Sequence, residues 1–355
     1  MRKFKTSLLF MVLAAIVSFT SCTKDDNNQD TGAFSNGIFI VNEGPFQTGT
    51  GTITFFDPDS NLVKQDIFEK VNGRPLGNIA QSMTIYNGKG YIVVNNAGTI
   101  EVVDVATFKS EATITGLVNP SQLLVINSQK AYVSDWGGNV AVVNLNTNTI
   151  TKTITAGTGP DAMVKAGNYV YVANTGGFGI DSTLTVIDFT TDLVAKTIRV
   201  GDAPSGLVSD ANGRVWVICK GKGYTGWPQP GDTPGRIVRI DPVSLSVNYT
   251  YNFPSTDVHP EKLVINKQKS MLYFLYNYGI YSFNITSSNA TPEKISSRSF
   301  YSLGYENKTG YLYASDVKDY VSNGIVLRIK ADDGKTVDSI QSGIIPRGFT
   351  FPGQE

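Results

Sequence analysis

The sequence predicts an all-β fold, a seven-bladed β-propeller whose last blade is completed by both ends of the folded chain. The repeating unit is clearest in residues 121–160, which hold four short runs rich in β-branched and aromatic residues. Asn, Gly, Ser or Pro bounds each run, which is typical of strands joined by tight turns. Copies of this four-stranded unit recur about every forty residues, and such a period indicates a propeller.

Seven copies of the unit are visible, each marked by an aromatic residue in its second strand. These aromatic residues are Phe39, Tyr91, Tyr132, Tyr171, Trp216, Tyr273 and Tyr313. The predicted blades cover residues 38–68, 81–118, 121–159, 161–203, 205–259, 261–299 and 301–345. No segment of these blades carries a helical period of useful length.

The two ends of the repeat array indicate how the ring closes. The first copy begins at its second strand, at Gly37, and lacks a first strand. Residues 343–351, GIIPRGFTF, form an extra strand that matches the starts of other units. Pairing the two ends leaves no open sheet edge. We therefore expect the C-terminal strand to join the N-terminal strands in the blade that closes the ring.

Residues 1–21 are predicted to be a lipoprotein signal peptide. Arg2, Lys3 and Lys5 precede an apolar segment too short to span a bilayer comfortably, and Cys22 follows small residues. We expect Cys22 to be acylated and residues 22–36 to form a flexible acidic tether. The propeller then occupies residues 37–355.

The composition restricts the class of partner. Lys and Arg total 30, as do Asp and Glu, and no basic run occurs, which argues against nucleic acid as a partner. Apart from Cys22 the only cysteine is Cys219, inside a strand pattern. We therefore expect no disulfide within the mature chain, and Cys219 as a small core residue.

The candidate binding site is the mouth of the propeller channel. Loops that follow the second strands and loops that join blades lie on the same face of such a ring. The candidate ligand-binding residues at this mouth are Asn42, Glu43, Phe46, Gln81, Asn95, Asp135, Trp136, Asn174, Phe178, Lys220, Tyr224, Trp227, Asn277, Tyr278, Asp316 and Arg347. For each Asn or Asp the alternative is that it caps a turn through its own backbone.

Two loops on this face are longer than a turn requires. Residues 174–183 carry Phe178, and residues 219–236 carry Tyr224 and Trp227 among glycines and prolines. Aromatic side chains on such loops offer large contact area at low entropic cost, which favours a role in ligand contact. The alternative is that they pack on the rim of a neighbouring blade.

The sequence predicts no catalytic residue and no metal site. Only one histidine is present, His259, and no G-x-S-x-G, P-loop or C-x-x-C motif occurs. The alternative is a calcium site, since calcium takes oxygen ligands. Its candidate ligands are Glu43, Asp135, Asp161, Glu261 and Asp316, with Asn95 and Asn174.

Four strings carry a family resemblance. GIFIVNEG (37–44), GTITFFD (51–57), GRPLGNIAQSM (73–83) and YVAN (171–174) resemble the Bacteroidetes surface propeller lipoproteins of the YncE-like, YVTN-repeat group, in particular the DUF5074 family. Thr20 and Ser21 before Cys22 resemble a lipobox, and the following Lys and Asp residues resemble a surface-export signal. These resemblances imply an outer-membrane lipoprotein exposed at the cell surface and held to the membrane by its lipid alone.

The wider group includes surface lipoproteins that capture cobalamin as a lid on a TonB-dependent outer-membrane transporter. The resemblance thus implies a non-catalytic protein that captures a small molecule or cofactor, with a corrinoid as one candidate ligand, and hands it to such a transporter. The alternatives are a calcium-dependent lactonase-like hydrolase and a protein-docking or surface-layer module. A lipoprotein facing the periplasm is the alternative for its location.

Overall fold

The computed structural model describes Phe34, residues 37–46 and residues 48–354. The predicted signal peptide and the acylation site at Cys22 lie outside these residues. Phe34, which the sequence analysis assigned to the tether, is buried and packs edge-on against Phe55 and Phe108. No helix among the described residues is long and apolar enough to cross a membrane.

Within the described residues the chain forms seven four-stranded antiparallel sheets arranged in a ring, which confirms the predicted seven-bladed propeller. The strands of the first three blades are β1 (Ile38–Asn42), β2 (Thr52–Asp57), β3 (Leu62–Lys64), β4 (Ala80–Tyr86), β5 (Lys89–Val94), β6 (Thr99–Asp104), β7 (Ser110–Ile114), β8 (Pro120–Asn127), β9 (Lys130–Asp135), β10 (Asn139–Asn144) and β11 (Thr149–Thr155). Those of the fourth and fifth blades are β12 (Pro160–Ala166), β13 (Tyr169–Asn174), β14 (Thr183–Asp188), β15 (Leu193–Arg199), β16 (Pro204–Ser209), β17 (Val215–Cys219), β18 (Arg236–Asp241) and β19 (Ser246–Asn252). Those of the last two blades and the closing strand are β20 (Glu261–Ile265), β21 (Met271–Tyr276), β22 (Gly279–Asn284), β23 (Glu293–Ser296), β24 (Ser302–Tyr305), β25 (Tyr311–Asp316), β26 (Asn323–Lys330), β27 (Thr336–Ile344) and β28 (Pro346–Thr350).

The first blade is completed by the C-terminal strand. Its order is β28-β1-β2-β3, and β28 runs antiparallel to β1 with Phe39 opposite Thr350 and Ile40 opposite Phe349. In the other six blades four consecutive strands form the sheet. The predicted closure by a C-terminal strand is therefore confirmed, with residues 346–350 as that strand and residues 343–344 in β27. The first blade thus has four strands like the other six.

The core lies between the blades. All seven marker aromatics of the second strands are buried, with at most 7% of any side chain exposed. Tyr132 of β9, for example, packs with Val142 of β10 and with Val170 of β13 in the next blade. Cys219 is also buried, and burial raises the pKa of its thiol.

The innermost strands are tied to one another by hydroxyl groups. Ser82 and Thr84 of β4 donate to the carbonyl oxygens of Ser121 and Leu123 on β8, each at 2.8 Å. Thr350 of β28 donates to the carbonyl of Met83 at 2.7 Å. Since these bonds cross from blade to blade, they fix the wall of the central channel and the side chains at its mouth.

One short helix, α1 (Ile67–Asn72), lies in the connection between the first and second blades. It spans six residues, too few for a helical period to be visible in the sequence. Phe68 buries against the core, and the Asn72 amide donates to the carbonyl of Phe108 at 3.0 Å.

Candidate functional site

A cavity of about 430 Å³ opens at the mouth of the central channel. The loops after the second strands and those between blades surround it, on the face that the repeat pattern predicts. Its lining residues are Asp161, Thr175, Gly177, Gly179, Ile180, Ala203, Ser205, Lys220, Gly221, Gly223, Tyr224, Glu261, Lys262, Tyr301 and Arg347.

One wall of this mouth is a three-residue cluster at the ring closure. Arg347 Nη1 donates to Glu43 Oε1 at 2.6 Å, and the Tyr301 hydroxyl donates to the same oxygen at 3.1 Å. Burial raises the pKa of Tyr301 to about 12, while Arg347 and Glu43 act on it in opposite directions. The hydroxyl therefore stays protonated at neutral pH and can donate to Glu43 or to a ligand.

A second ion pair lies on the next wall. Lys220 Nζ is 3.1 Å from Glu261 Oε2. Burial alone would raise the pKa of Glu261, but the nearby ammonium groups of Lys220 and Lys262 outweigh it and hold the pKa below its usual range. Glu261 is therefore ionised at neutral pH and held by Lys220.

Lys262 occupies the floor of the mouth without a counter-ion in contact. Its Nζ lies 5.5 Å from the centroid of the Tyr301 ring, and no described residue forms a hydrogen bond or ion pair with it. Burial, followed by the positive charge of Arg347, lowers the pKa of this amine to about 8. Its backbone has φ of 60°, a left-handed conformation that a side chain other than glycine adopts at a cost.

The sequence analysis missed Lys262. A register shift in β20 between Glu261 and Val264 changes the alternation of side chains along this strand. The same shift occurs at the start of β4, β8, β12 and β16, so the bulge belongs to the repeat. The signal that was available is the lysine itself, because the aligned positions of the other innermost strands carry Ser, Gln, Ala or Gly.

A second cavity of about 440 Å³ continues down the channel below the mouth. Four residues line both cavities, Asp161, Ser205, Lys262 and Arg347, and form a polar collar between them. The side-chain oxygens of Ser205 and of Gln81, which lines the lower cavity, are buried without a hydrogen-bond partner in the described part of the chain. Unpaired buried polar atoms are rare and point to groups that meet water or a ligand.

Large exposed aromatic side chains surround the mouth, and we call this set the aromatic crown. Its members are Phe46, Phe178, Tyr224, Trp227, Tyr278 and Tyr320. Phe178 is 97% exposed and Tyr224 is 77% exposed. Phe178 nevertheless contacts Trp136 of the neighbouring blade, with ring centroids 6.0 Å apart and the two rings nearly perpendicular.

The long loop that carries Tyr224 and Trp227 is fixed at its base by His259. Nδ1 of this buried imidazole lies 2.8 Å from the carbonyl of Lys220, and the His259 backbone N–H donates to the Thr225 hydroxyl at 3.0 Å. Gly223 lies against the same ring with φ of +123°, and a Cβ there would come within 2.9 Å of Nε2. The two aromatic side chains therefore project from an ordered loop.

Four predicted binding residues are structural instead. Asn42, Asn95, Asp135 and Asn174 are buried. Asp135 accepts the backbone N–H groups of Val118 at 2.7 Å, Asn119 at 2.9 Å and Gly137 at 2.9 Å.

The three amides serve the same purpose. Asn95 donates to the Pro120 carbonyl at 2.9 Å, and Asn174 donates to the Thr183 hydroxyl at 2.9 Å. Asn42 donates to the Thr54 hydroxyl at 3.1 Å. These three bonds hold the amides against neighbouring backbone and hydroxyl groups and do not cap each residue's own turn.

The remaining predicted residues lie toward the edge of the face. Asp316 is paired with Arg298 at 2.5 Å. Asn277 and Tyr278 line a separate depression of about 220 Å³ together with His259 and other residues. Of the predicted set, only Lys220, Tyr224 and Arg347 line the mouth cavity itself.

The carboxylates do not converge on a common point. Among the described residues no group of three or more His, Cys, Asp or Glu side chains is arranged to hold a metal ion. Glu43 is held by Arg347, Glu261 by Lys220, and Asp161 accepts a hydrogen bond from the Ser121 hydroxyl. Within the described part of the chain, the candidate calcium ligands therefore do not form a calcium site of the expected kind.

Solved structures share the propeller fold at low sequence identity. A quinoprotein alcohol dehydrogenase-like protein from Bacteroides thetaiotaomicron is 18% identical, with a TM-score of 0.69 over 90% of this chain and 78% of that one. The periplasmic gluconolactonase of Pseudomonas aeruginosa is 11% identical, with a TM-score of 0.64 over 88% of this chain and 99% of that one. Hydrazine synthase from Kuenenia stuttgartiensis is 15% identical, with a TM-score of 0.62 over 76% and 88% of the two chains.

These likenesses establish the fold alone. Comparison of the sequence with curated proteins finds no match. The profile described as a domain of unknown function, DUF5074, matches residues 36–354, which covers all seven blades. The chain therefore belongs to the DUF5074 family.

Proposed function

We propose that this propeller is a non-catalytic binding protein of the outer cell surface, which captures a small molecule at its channel mouth and passes it to a TonB-dependent outer-membrane transporter. The observation that carries the proposal is the aromatic crown around a polar cavity. Phe46, Phe178, Tyr224, Trp227, Tyr278 and Tyr320 all belong to the face on which the cavity opens.

The shape and lining of the mouth support binding. A cavity of about 430 Å³ lies within the range of small-molecule sites, which combine apolar walls with a few oriented polar groups. Here Tyr224 and Ile180 supply apolar surface, and Lys220, Glu261 and Arg347 supply charge. Exposed aromatic side chains on one face mark interaction sites more often than scattered apolar residues do.

The chemistry of the lining supports binding without catalysis. The two mouth glutamates are each engaged by a cation, which leaves neither poised as a general base. The lone histidine is buried, with Nδ1 occupied by a backbone carbonyl. The lactonase alternative therefore has no acid and amide cluster to support it.

A corrinoid is a candidate ligand through the family resemblance. It is larger than the mouth cavity, so we expect its ring to rest on the aromatic crown and one of its peripheral groups to enter the mouth. Its peripheral amides match donors and acceptors such as Lys220, Glu261 and Arg347. Its apolar ring faces match the crown.

The binding proposal is tested by calorimetry on residues 23–355, which keep the buried Phe34, against cobalamin, cobinamide, haem and a glycan panel, with and without calcium. We expect one ligand to bind and the double variant Tyr224→Ala/Trp227→Ala to lose at least tenfold in affinity with unchanged thermal stability. Val243→Ser is the matched control, because Val243 is 91% exposed on a turn after β18, away from the mouth. Equal binding by the double variant and wild type would overturn the proposal.

The surface location and the transporter are proposals that rest on the sequence around Cys22 and on the family resemblance. Metabolic labelling with a fatty acid, in wild type and Cys22→Ser, tests the acylation. Protease treatment of intact cells tests surface exposure, and an intact propeller after treatment would indicate a periplasmic location. Co-purification of a TonB-dependent transporter with wild type, but not with the crown variant, tests the partnership.

A further inference from the structure

We propose that the captured ligand carries an anionic oxygen group, a carboxylate or a phosphate, which binds between Lys262 and Arg347 at the floor of the mouth. This inference rests on the proposed function and defines the chemical class of its ligand. It concerns the polar collar, not the aromatic crown.

Among the described residues, one cation of the mouth has no anionic side chain in contact. Lys220 is paired with Glu261 and Arg347 with Glu43. Lys262 has no ion pair or hydrogen bond to any described residue. A desolvated ammonium without a counter-ion is unfavourable, and an arriving anion supplies the missing charge.

Arg347 offers further donors at the same place. Its bonds to Glu43 and Tyr301 both come from Nη1, at 2.6 Å and 3.5 Å. Nη2 and Nε have no hydrogen-bond partner among the described residues. Because a guanidinium presents its N–H groups in a planar fork that matches carboxylate and phosphate, these two donors are suited to an oxyanion.

Lys262 and Arg347 line both cavities, so an anion held there would lie at the collar between the mouth and the inner channel. Ser205 lies on the same collar with its buried hydroxyl unpaired. Asp161 faces the same space and disfavours a second anionic group beside the first. We therefore expect one anionic group at the collar, with hydroxyl or amide donors next to it.

The backbone conformation of Lys262 supports a binding role for this residue. A φ of 60° is costly for a side chain with a Cβ. This strain and the partial desolvation of an ammonium that has no ion pair among the described residues both oppose folding. Their coincidence at the floor of a cavity is typical of a site kept for binding.

Anion binding at this site requires Lys262 to be protonated. Burial and Arg347 lower its pKa to about 8, so the ammonium predominates below that pH and is lost above it. The charged and titratable groups around it are Arg347, Glu43, Tyr301, Glu261, Lys220 and Asp161. Tyr301 has a pKa of about 12 and Glu261 a lowered pKa, so these two neighbours keep their charge state over the range in which Lys262 titrates.

The test follows Lys262 directly by NMR, with ¹³Cε-labelled lysine in residues 23–355. The probes are inorganic phosphate and acetate, with acetamide as the neutral match for acetate. The Lys262 signal is assigned by its absence in Lys262→Gln. Lys318→Gln is the matched control, since Lys318 is an exposed lysine in a loop of the same face.

We expect phosphate, acetate or both to shift the Lys262 signal saturably at pH 7 and to raise its pKa, while acetamide has no effect. Saturation by phosphate alone or by acetate alone identifies the group. Affinity should fall at least tenfold between pH 7 and pH 9.5. Lys318→Gln should retain the response.

The inference is overturned if neither anion shifts the Lys262 signal, or if the Lys262 and Lys318 signals shift alike without saturation, which indicates an adventitious ion only. If the calorimetric screen finds a ligand whose binding requires the aromatic crown but which carries no anionic group, the proposed function stands and this inference alone fails. If the screen finds no ligand whose binding requires the crown, while the anions still bind at Lys262, the proposed function fails instead.

Discussion

Arg347 and Glu43 are 304 positions apart in the chain, yet Nη1 of the arginine lies 2.6 Å from Oε1 of the glutamate. Arg347 lies in β28 and Glu43 directly follows β1, the two strands through which the C-terminal segment closes the ring. The same pair forms a wall of the mouth with Tyr301. Ring closure and ligand site are therefore built from the same residues.

We expect Arg347→Met to destabilise the protein by about 3 kcal/mol, because it leaves the buried carboxylate of Glu43 without its cation. Urea unfolding measures the change. Lys335→Met is the control, since Lys335 pairs with Asp333 at 2.8 Å on the surface and such pairs contribute about 0 to 1 kcal/mol. Equal, small effects of the two substitutions would show that the Glu43 pair is not needed for closure.

Lys262→Met should stabilise the unliganded protein by about 1 to 3 kcal/mol, since it removes a half-buried ammonium that has no ion pair among the described residues. The pKa of Lys262 is about 8 in the folded protein, below the ordinary 10.5, so the unfolded chain binds more protons between these values. Wild-type stability should therefore rise with pH over this window. The variant's higher free energy of unfolding relative to wild type should be fully present below pH 8 and should disappear near pH 10.5.

Unfolding of wild type and Lys262→Met at pH 7, 9 and 10.5 measures this difference. Other groups titrate alike in both proteins, so their contributions cancel in the difference between the two free energies of unfolding. A variant that is less stable than wild type at pH 7 would show that Lys262 packs as a structural residue.

Tyr132→Ala should destabilise by about 3 to 5 kcal/mol, because it truncates a fully buried ring between the third and fourth blades. Tyr132→Phe keeps the ring and loses only the hydroxyl contact to Asp192, so it should cost about 1 to 2 kcal/mol. Thermal and urea unfolding give both values. A neutral alanine variant would contradict the blade packing described above.

Ending the chain after Ile345 removes β28 and exposes the inner edge of β1. A strand edge that is normally covered pairs with other chains once it is exposed. We therefore expect soluble aggregates or a domain-swapped dimer. Size-exclusion chromatography with light scattering detects either product. A stable monomer would mean that β28 is dispensable for closure.

The fold was predictable because the repeat is carried by many residues at once. Each second strand has a buried aromatic, and the missing first strand at Gly37 has its counterpart in residues 343–351. A single atypical blade does not obscure a signal repeated seven times. The prediction of closure therefore needed no contact information.

The site was predictable only in part, since its face follows from the topology but its side chains do not. Strand-end amides such as Asn95 and Asn174 look like ligand contacts in the sequence, and the structure turns them toward neighbouring backbone and hydroxyl groups. Lys262 lies at a strand-start bulge that recurs in four other blades, and its residue type, not the bulge, distinguishes it from the aligned positions. Tyr224 and Trp227 were recognisable because they lie on a loop longer than its turn requires.

Hydrogen exchange of residues 23–355, with and without the ligand found by the calorimetric screen, tests most directly whether capture occurs at the channel mouth. We expect ligand to slow exchange in residues 44–46, 48–51, 175–182 and 220–235, which surround the mouth. Exchange in the turns of the opposite face, at residues 87–88, 167–168 and 266–270, should not change. Protection confined to those turns would contradict the account.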